Sequence, residues 1–448
     1  MDIPRHIVIS GAGLVGSLLA VMLGRRGYSV SVYEKREDLR QAEISAGRSI
    51  NLALAERGID ALKRAGLFGE VEELLIPMRG RMLHLDDGQE TLVPYGQRPE
   101  EVIYSVSRGD LNCLMMTEAE QHPNVEIFFD QKCESIDIEN NRMTVVDNRT
   151  DQVREVEYSV IIGCDGVGSA IRRAVMEQSA GECAVEMLDH DYKELCIPAG
   201  REGGFQMERE ALHIWPRGGY MLIALPNLDG SYTVTLFLAK RGQPSFEQLE
   251  NPTNVLEFFQ QQFPDALKLI PDLATEFVDN PTGELGTIRC WPWSANGTAL
   301  IMGDASHAIV PFHGQGMNAG FEDCAELLRL LDEYEDDWSV VMKKFQDSRK
   351  PNADAIADMA LENYMIMRDS VVDEKFNQKK QLGFQLELRH PDKFIPRYSM
   401  VMFHTMPYKD ALERGKIQDA IMDELLEGKA SVEEVDLERA DQLIDERL

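Results

Sequence analysis

Gly11-Ala12-Gly13-Leu14-Val15-Gly16 follows directly on the apolar run His6-Ile7-Val8-Ile9-Ser10. A glycine triplet in that setting leaves few folds open. Gly11 permits a tight turn, Gly13 lets the backbone approach a pyrophosphate, and Gly16 lets the next helix pack on a sheet. Residues 17–26 read as that helix, with Leu18, Leu19, Val21, Met22 and Leu23 on or near its apolar side. Its N-terminal N–H groups and dipole suit a diphosphate. Residues 28–33 read as a second strand ending at Glu34. That acid lies 18 residues past Gly16, close to the spacing of about 20 expected for a carboxylate on a ribose hydroxyl.

Two further segments share this punctuation. Gly163-Cys164-Asp165-Gly166-Val167-Gly168-Ser169 follows the buried run 160–163, and Gly303-Asp304-Ala305-Ser306-His307 follows the buried run 299–302. A carboxylate at a strand's C-terminal end can accept a ribityl or ribose hydroxyl. Gly314 and Gly316 let backbone pass close to a planar ring. A helix beginning near Met317 and Asn318 points its N-terminal donors at that ring and stabilises negative charge on its edge. One motif indicates a dinucleotide. All three, in this order, point to FAD. The expected cofactor contacts are Gly11, Gly13, Val15, Gly16, Glu34, Asp165, Asp304, Gly316, Met317 and Asn318.

The expected class is α/β (α+β overall): a Rossmann-like FAD-binding domain, an antiparallel-sheet substrate domain and a C-terminal helical region. The FAD-binding domain is discontinuous, built from 1–75, 101–184 and 285–345. Residues 76–100 and 185–284 supply the substrate-domain sheet, where short strands alternate with Pro/Gly/Asn/Asp turns. Residues 346–448 read as helical. Within the first domain, residues 58–75 are expected to form one helix.

The net charge of −31, from 77 acids against 46 bases, disfavours nucleic acid and anionic membrane as partners. It repels an anionic nicotinamide cofactor at long range. The acidic end reads as a solvated face. Seven cysteines without a C-x-x-C pair argue against a disulfide framework. No apolar run approaches the roughly 20 residues of a membrane span, and the chain enters its first strand almost at once, without a leader. These features imply a soluble, cytoplasmic protein. His307 and His313 lack a flanking carboxylate or cysteine cluster, so no metal is expected. Trp291-Pro292-Trp293 reads as core and strand-edge packing.

The order of the three motifs, with Pro311…Gly314-Gln315-Gly316 after the last, resembles the single-component FAD-dependent aromatic hydroxylases. The resemblance implies that the Asp165-Gly166 segment serves both FAD and NADPH, and that Arg108 contacts the flavin. Longer strings resemble the kynurenine-hydroxylating branch of that family over about residues 5–415. They include residues 47–54, Arg79-Gly80-Arg81-Met82, Pro94-Tyr95-Gly96, residues 212–216 and 310–318, Leu361-Glu362-Asn363-Tyr364 and residues 394–400. By this resemblance Arg81, Tyr95, Asn363 and Tyr398 hold the amino-acid end of L-kynurenine. Phe312 and His313 lie between substrate and flavin. The resemblance further implies that NADPH reduces the flavin, that dioxygen is activated as a C4a-hydroperoxide and that the product is 3-hydroxy-L-kynurenine. No side chain is implied as an acid or base.

The residues agree with that expectation. A substrate carboxylate calls for a permanent cation, and the Arg81 guanidinium offers a bidentate fork from a strand. Taken singly, Tyr95, Asn363 and Tyr398 read as structural. Two other readings stay open: a hydroxylase of another aromatic, and a flavin-binding protein without turnover. Oligomeric state is not legible.

Overall fold

The computed structural model describes residues 6–41, 51–367 and 374–448. Residues 47–50 of the string 47–54 lie outside them. The chain divides into two compact units. One comprises Met1–Ile76, Tyr104–Leu188 and Glu284–Ala357; the other comprises Pro77–Ile103, Asp189–Gly283 and Asp358–Leu448.

A six-stranded sheet organises the first unit. Its order is Ser294–Ala295, Ala299–Ile301, Val160–Gly163, His6–Ser10, Ser29–Tyr33 and Val125–Phe128. All neighbours are parallel except the first pair. The central strands are short apolar runs buried on both faces, as a parallel sheet covered by helices requires. Tyr33, Ser10, Gly163 and Ile301 stand side by side in the register. Glu34 and the three motifs, nearly 300 residues apart in the chain, therefore leave the sheet along one edge. Ligands of open α/β sheets bind at such carboxyl ends, where strand order reverses.

Helix Leu14–Arg25 packs on helices Arg108–Glu120 and Gly316–Glu333. The helix expected over 58–75 is two, Glu56–Arg64 and Phe68–Glu72. Gly66 between them takes φ +64°, a left-handed stop that ends the first helix. A strand at Val153–Glu157, not anticipated, pairs with Arg142–Asp147. It is mostly exposed and charged, so it lacks the apolar alternation that marks a strand.

In the second unit, Gly80–His84 pairs antiparallel with Glu90–Pro94 and parallel with Ala211–Pro216. Met221–Pro226, Tyr232–Ala239 and residues 190–197 continue the sheet antiparallel. The expected antiparallel sheet thus contains one parallel seam, because Gly80–His84 joins from a distant part of the chain. Helices Pro252–Gln262, Pro264–Leu267 and Leu273–Asp279 were not read from the sequence. Their Val255, Phe258, Phe259, Phe263 and Phe277 form one core with Trp215, Leu222, Val234 and Leu236 of the strands.

The acidic end is more than a solvated face. Helix Leu437–Arg447 buries Ala440, Leu443 and Ile444 in a core with Leu382, Leu386, Ile421 and Leu425. Glu433, Glu434 and Glu438 stay exposed. No described helix is long and apolar enough to cross a membrane. All seven cysteines are free.

Candidate active site

At the sheet edge of the first unit the glycines fall into two kinds. Gly11 has φ +100°, and a Cβ there would meet the Cys164 carbonyl. A Cβ on Gly16 would fall on the Gly11 carbonyl oxygen. Both are required by the protein's own turn and helix packing. Gly13 differs: its φ of −73° is open to any residue, and a Cβ would meet nothing within 4 Å. Gly168 is likewise open. Packing within the protein gives no reason for Gly13, while a dinucleotide lying on the first helix turn does.

The loop is held from beneath. Glu34 is buried; its Oε2 accepts the Ala12 N–H at 2.9 Å, and its Oε1 accepts the Arg36 N–H and Nε–H at 3.0 and 2.7 Å. Burial opposes the charge, but Arg36 and the two amides outweigh it, so the carboxyl sits below its ordinary range. Oε1 is filled by its two Arg36 donors, whereas Oε2 keeps a second lone pair for a ribose hydroxyl. Asn112 Nδ2 and Ser17 Oγ donate to the Ala12 carbonyl, both at 3.1 Å. Neither was singled out from the sequence, since a lone Asn or Ser on a helix carries no signal.

Asp165 accepts the N–H of Ala170 through Oδ2 at 2.8 Å, at the start of helix Ala170–Ser179. Its Oδ1 is buried without a hydrogen-bond partner among the described residues. Burial pushes this carboxyl up, against the hydrogen bonds of Ser169 and Ala170. A buried orphan acceptor at the sheet edge fits a ligand hydroxyl or amide. Asp304, by contrast, is exposed at the start of the short helix Asp304–His307. Gly303 before it takes φ +58° and ψ −142°, a backbone that side chains rarely adopt.

A buried polar network fixes that turn. Asp323 Oδ2 accepts the Gly303 N–H at 3.0 Å and lies 2.6 Å from His307 Nε2. Its Oδ1 accepts Arg349 Nε–H at 2.7 Å. Arg349 and Arg57 also share Glu322. Burial alone would raise the Asp323 carboxyl; His307 and Arg349 outweigh it and hold it at about 2. Asp323 and Arg349 carry no motif that marks them in the sequence, because their partners lie one or more helices away.

Helix Gly316–Glu333 starts where expected, after the turn Pro311–His313, and its first residues include Met317 and Asn318. The Asn318 side chain is spent inside the protein: Oδ1 accepts the Ala55 N–H at 2.9 Å, and Nδ2 donates to the Ala53 and Gly314 carbonyls at 2.9 and 2.8 Å. Its backbone N–H at the helix start remains the group for a ligand. Phe312 and His313 are buried in the turn. Val15 lies over Gly303 and Gly320. Arg108 is exposed at the first position of helix Arg108–Glu120. Among the described residues no cluster of His, Cys, Asp or Glu could hold a metal.

In the second unit the structure gathers Arg81, Tyr95 and Tyr398. The Arg81 guanidinium lies 5.5 Å from the Tyr95 ring centre and 5.0 Å from that of Tyr398. The two rings stack at 5.7 Å, 9° apart. Arg81 Nε and the Tyr95 hydroxyl are buried without a hydrogen-bond partner among the described residues. A desolvated cation with no anion paired to it among the described residues fits a ligand anion. Arg397, beside Tyr398, is already paired with Glu362 at 2.9 Å. Asn363 is buried, with Nδ2 3.4 Å from Met367 Sδ.

The family described as FAD binding domain matches residues 5–360. The chain is 48% identical over 442 residues to a kynurenine 3-monooxygenase of Myxococcus xanthus (strain DK1622), covering 99% of this chain and 95% of the relative. It is 44% identical to one of Stenotrophomonas maltophilia (strain K279a), over 96% and 94%. The match to the first relative carries the likeness past residue 415, where the strings read from the sequence end. Among solved structures, 2-methyl-3-hydroxypyridine-5-carboxylic acid oxygenase superposes with a TM-score of 0.66 at 17% identity, over 86% of this chain and 98% of that one. Pseudomonas aeruginosa PqsL, in complex with 2-aminobenzoylacetate, gives 0.65 at 19%, over 82% and 97%. At these identities the structural likeness shows the fold.

Proposed function

Because the chain belongs to the FAD binding domain family, and within it to the kynurenine 3-monooxygenases, we propose that it hydroxylates L-kynurenine to 3-hydroxy-L-kynurenine. NADPH and dioxygen are its cosubstrates. The observation that carries the substrate is the 48% identity spanning 99% of the chain. Bound FAD supplies the redox chemistry, taking reducing equivalents from NADPH and activating dioxygen for transfer of one oxygen atom to the ring.

The chain's own residues bind, orient and exclude water. Gly11, Gly13, Val15 and Gly16 form the diphosphate loop, and Glu34 takes the ribose. Asp165, through its orphan Oδ1, and exposed Asp304 take hydroxyls or amides along the sheet edge. The backbone N–H groups of Gly316, Met317 and Asn318 face the flavin edge where negative charge develops on reduction. Arg108 adds a cation from the neighbouring helix. Phe312 and His313 give the flavin an enclosed face against which a substrate ring lies dry. Arg81 grips the substrate carboxylate, with Tyr95, Tyr398 and Asn363 completing its shell without added charge. The first compact unit is thus the FAD-binding domain, and the sheet of the second is the substrate domain. Seven free thiols suit a reducing cytoplasm, where the enzyme works without a membrane.

The test is NADPH oxidation by the purified, FAD-loaded protein with and without L-kynurenine, with the product identified by mass. L-kynurenine should accelerate oxidation and leave a product one oxygen atom heavier. Acceleration by another aromatic alone would assign a different hydroxylase. A protein that gains no flavin spectrum with FAD would remove the flavin reading altogether. Arg81→Ala should lower kcat/KM by roughly 30- to 1000-fold, on the order of 2–4 kcal/mol, with Arg81→Lys intermediate and flavin content unchanged.

A further inference from the structure

We propose that Lys380 is a second cation of the substrate-carboxylate site, binding the carboxylate of an amino-acid substrate together with Arg81. The proposal rests on the reading of Arg81 given above. Helix Glu374–Arg389 carries Lys380. It is tied to the loop that begins at Tyr95 by three hydrogen bonds. Gln97 Nε2 donates to the Phe384 carbonyl at 3.1 Å and to Glu387 at 2.7 Å, and Arg98 donates to Glu387 at 3.0 Å. Buried Glu101 locks that loop by accepting the Gln97 and Arg98 N–H groups at 2.7 and 2.9 Å. The helix is therefore fixed against the loop that follows Tyr95.

Lys380 lies half-buried on this helix, its ammonium 5.6 Å from the Phe384 ring centre. Among the described residues no carboxylate pairs with it or with Arg81. The acids nearby are engaged elsewhere. Glu387 and Glu101 hold Arg98, Asp423 holds Lys379 at 2.7 Å, and Glu362 holds Arg397. Asp419 bears on Lys379 and Arg397. Burial, and then the Arg81 charge, bring the Lys380 ammonium down to about 8. In a chain of net charge −31, two cations that feel each other's charge and, among the described residues, have no acid paired with them make a candidate anion site. A carboxylate between them offsets their mutual repulsion and the cost of their burial.

The experiment compares Lys380→Met, Lys380→Arg and Arg81→Ala as FAD-loaded enzymes. It reads KM and kcat for L-kynurenine from pH 6 to 9, and Kd by titration calorimetry. Lys380→Met should raise KM and Kd by about 10-fold or more, the worth of a charge-assisted contact, with kcat within about twofold of the parent. Lys380→Arg should recover most of the loss. In the parent, KM should climb above pH 8 as the ammonium deprotonates. Lys380→Met should lose that climb and Lys380→Arg should shift it upward, while titration of the substrate's own groups persists in all. A decarboxylated kynurenine analogue should bind Lys380→Met as well as it binds the parent. If Arg81→Ala weakens L-kynurenine while Lys380→Met leaves KM and Kd within twofold, the proposal fails and the reading of Arg81 stands. If neither variant has an effect, both fail.

Discussion

A glycine can be required by the protein or by its ligand, and the loop between Gly11 and Gly16 holds both kinds. Gly16 has the Gly11 carbonyl where a Cβ would go, whereas Gly13 has open space. Gly13→Ala should leave the melting temperature of the FAD-free protein unchanged and weaken FAD binding by about tenfold or more. Gly16→Ala should lower the melting temperature itself, since overpacking costs about 1–3 kcal/mol or more. Thermal unfolding without FAD and a fluorescence titration of FAD separate the two. A fall in the apo-protein's stability for Gly13→Ala would refute the ligand assignment. At this scale the motif residues were legible in the sequence because turn geometry and close approach restrict residue type. Asp323, Arg349 and Asn112 were not, since each acts through a partner that only folding brings near. Asn318 was expected at the flavin; its side chain serves the protein, a distinction that needs coordinates.

Among the elements, the parallel seam between Gly80–His84 and Ala211–Pro216 buries a histidine pair. His84 Nε2 lies 2.9 Å from His213 Nδ1, and His213 Nε2 lies 2.8 Å from the Glu208 carbonyl. Burial, more than the neighbouring His84, brings His213 down to about 4. The unfolded chain then binds a proton near pH 6.5 that the folded chain refuses until about 4. His213 therefore contributes full stability above pH 6.5, and that stability is lost as pH falls toward 4, by about 3 kcal/mol in all. Melting temperatures measured across this window should fall in the parent. They should fall less in His213→Gln, which keeps a donor and an acceptor but cannot titrate. Equal slopes would place the loss elsewhere. Helix Leu14–Arg25, and the start of helix Gly316–Glu333, were read within a few residues, because a glycine motif precedes each. Helices 252–279 were missed because they are short, proline-interrupted and aromatic, and gain their stability from the sheet they cover.

Over the whole molecule, the charge of −31 sets the approach of NADPH. The Debye length falls from about 30 Å at 0.01 M salt to about 8 Å at 0.15 M. Raising salt across that range should therefore speed NADPH association, read by stopped-flow from flavin reduction in the presence of L-kynurenine. A slowing would reveal a basic entry patch that overrides the net charge.

The sequence by itself determined the kinds of parts: a glycine turn between a buried strand and a helix, two acids after apolar strands, and an arginine in a strand. These follow from local sterics and the period of apolar residues, which operate over a few residues of chain. The tertiary structure alone decided which parts meet. Parallel pairing set Ser10, Gly163 and Ile301 side by side and so made one edge of three distant motifs. Packing left the Asp165 Oδ1 and Arg81 Nε atoms buried without partners among the described residues. Pairing between distant strands, and the desolvation of a group by residues far along the chain, depend on the whole set of contacts. No window of sequence contains them.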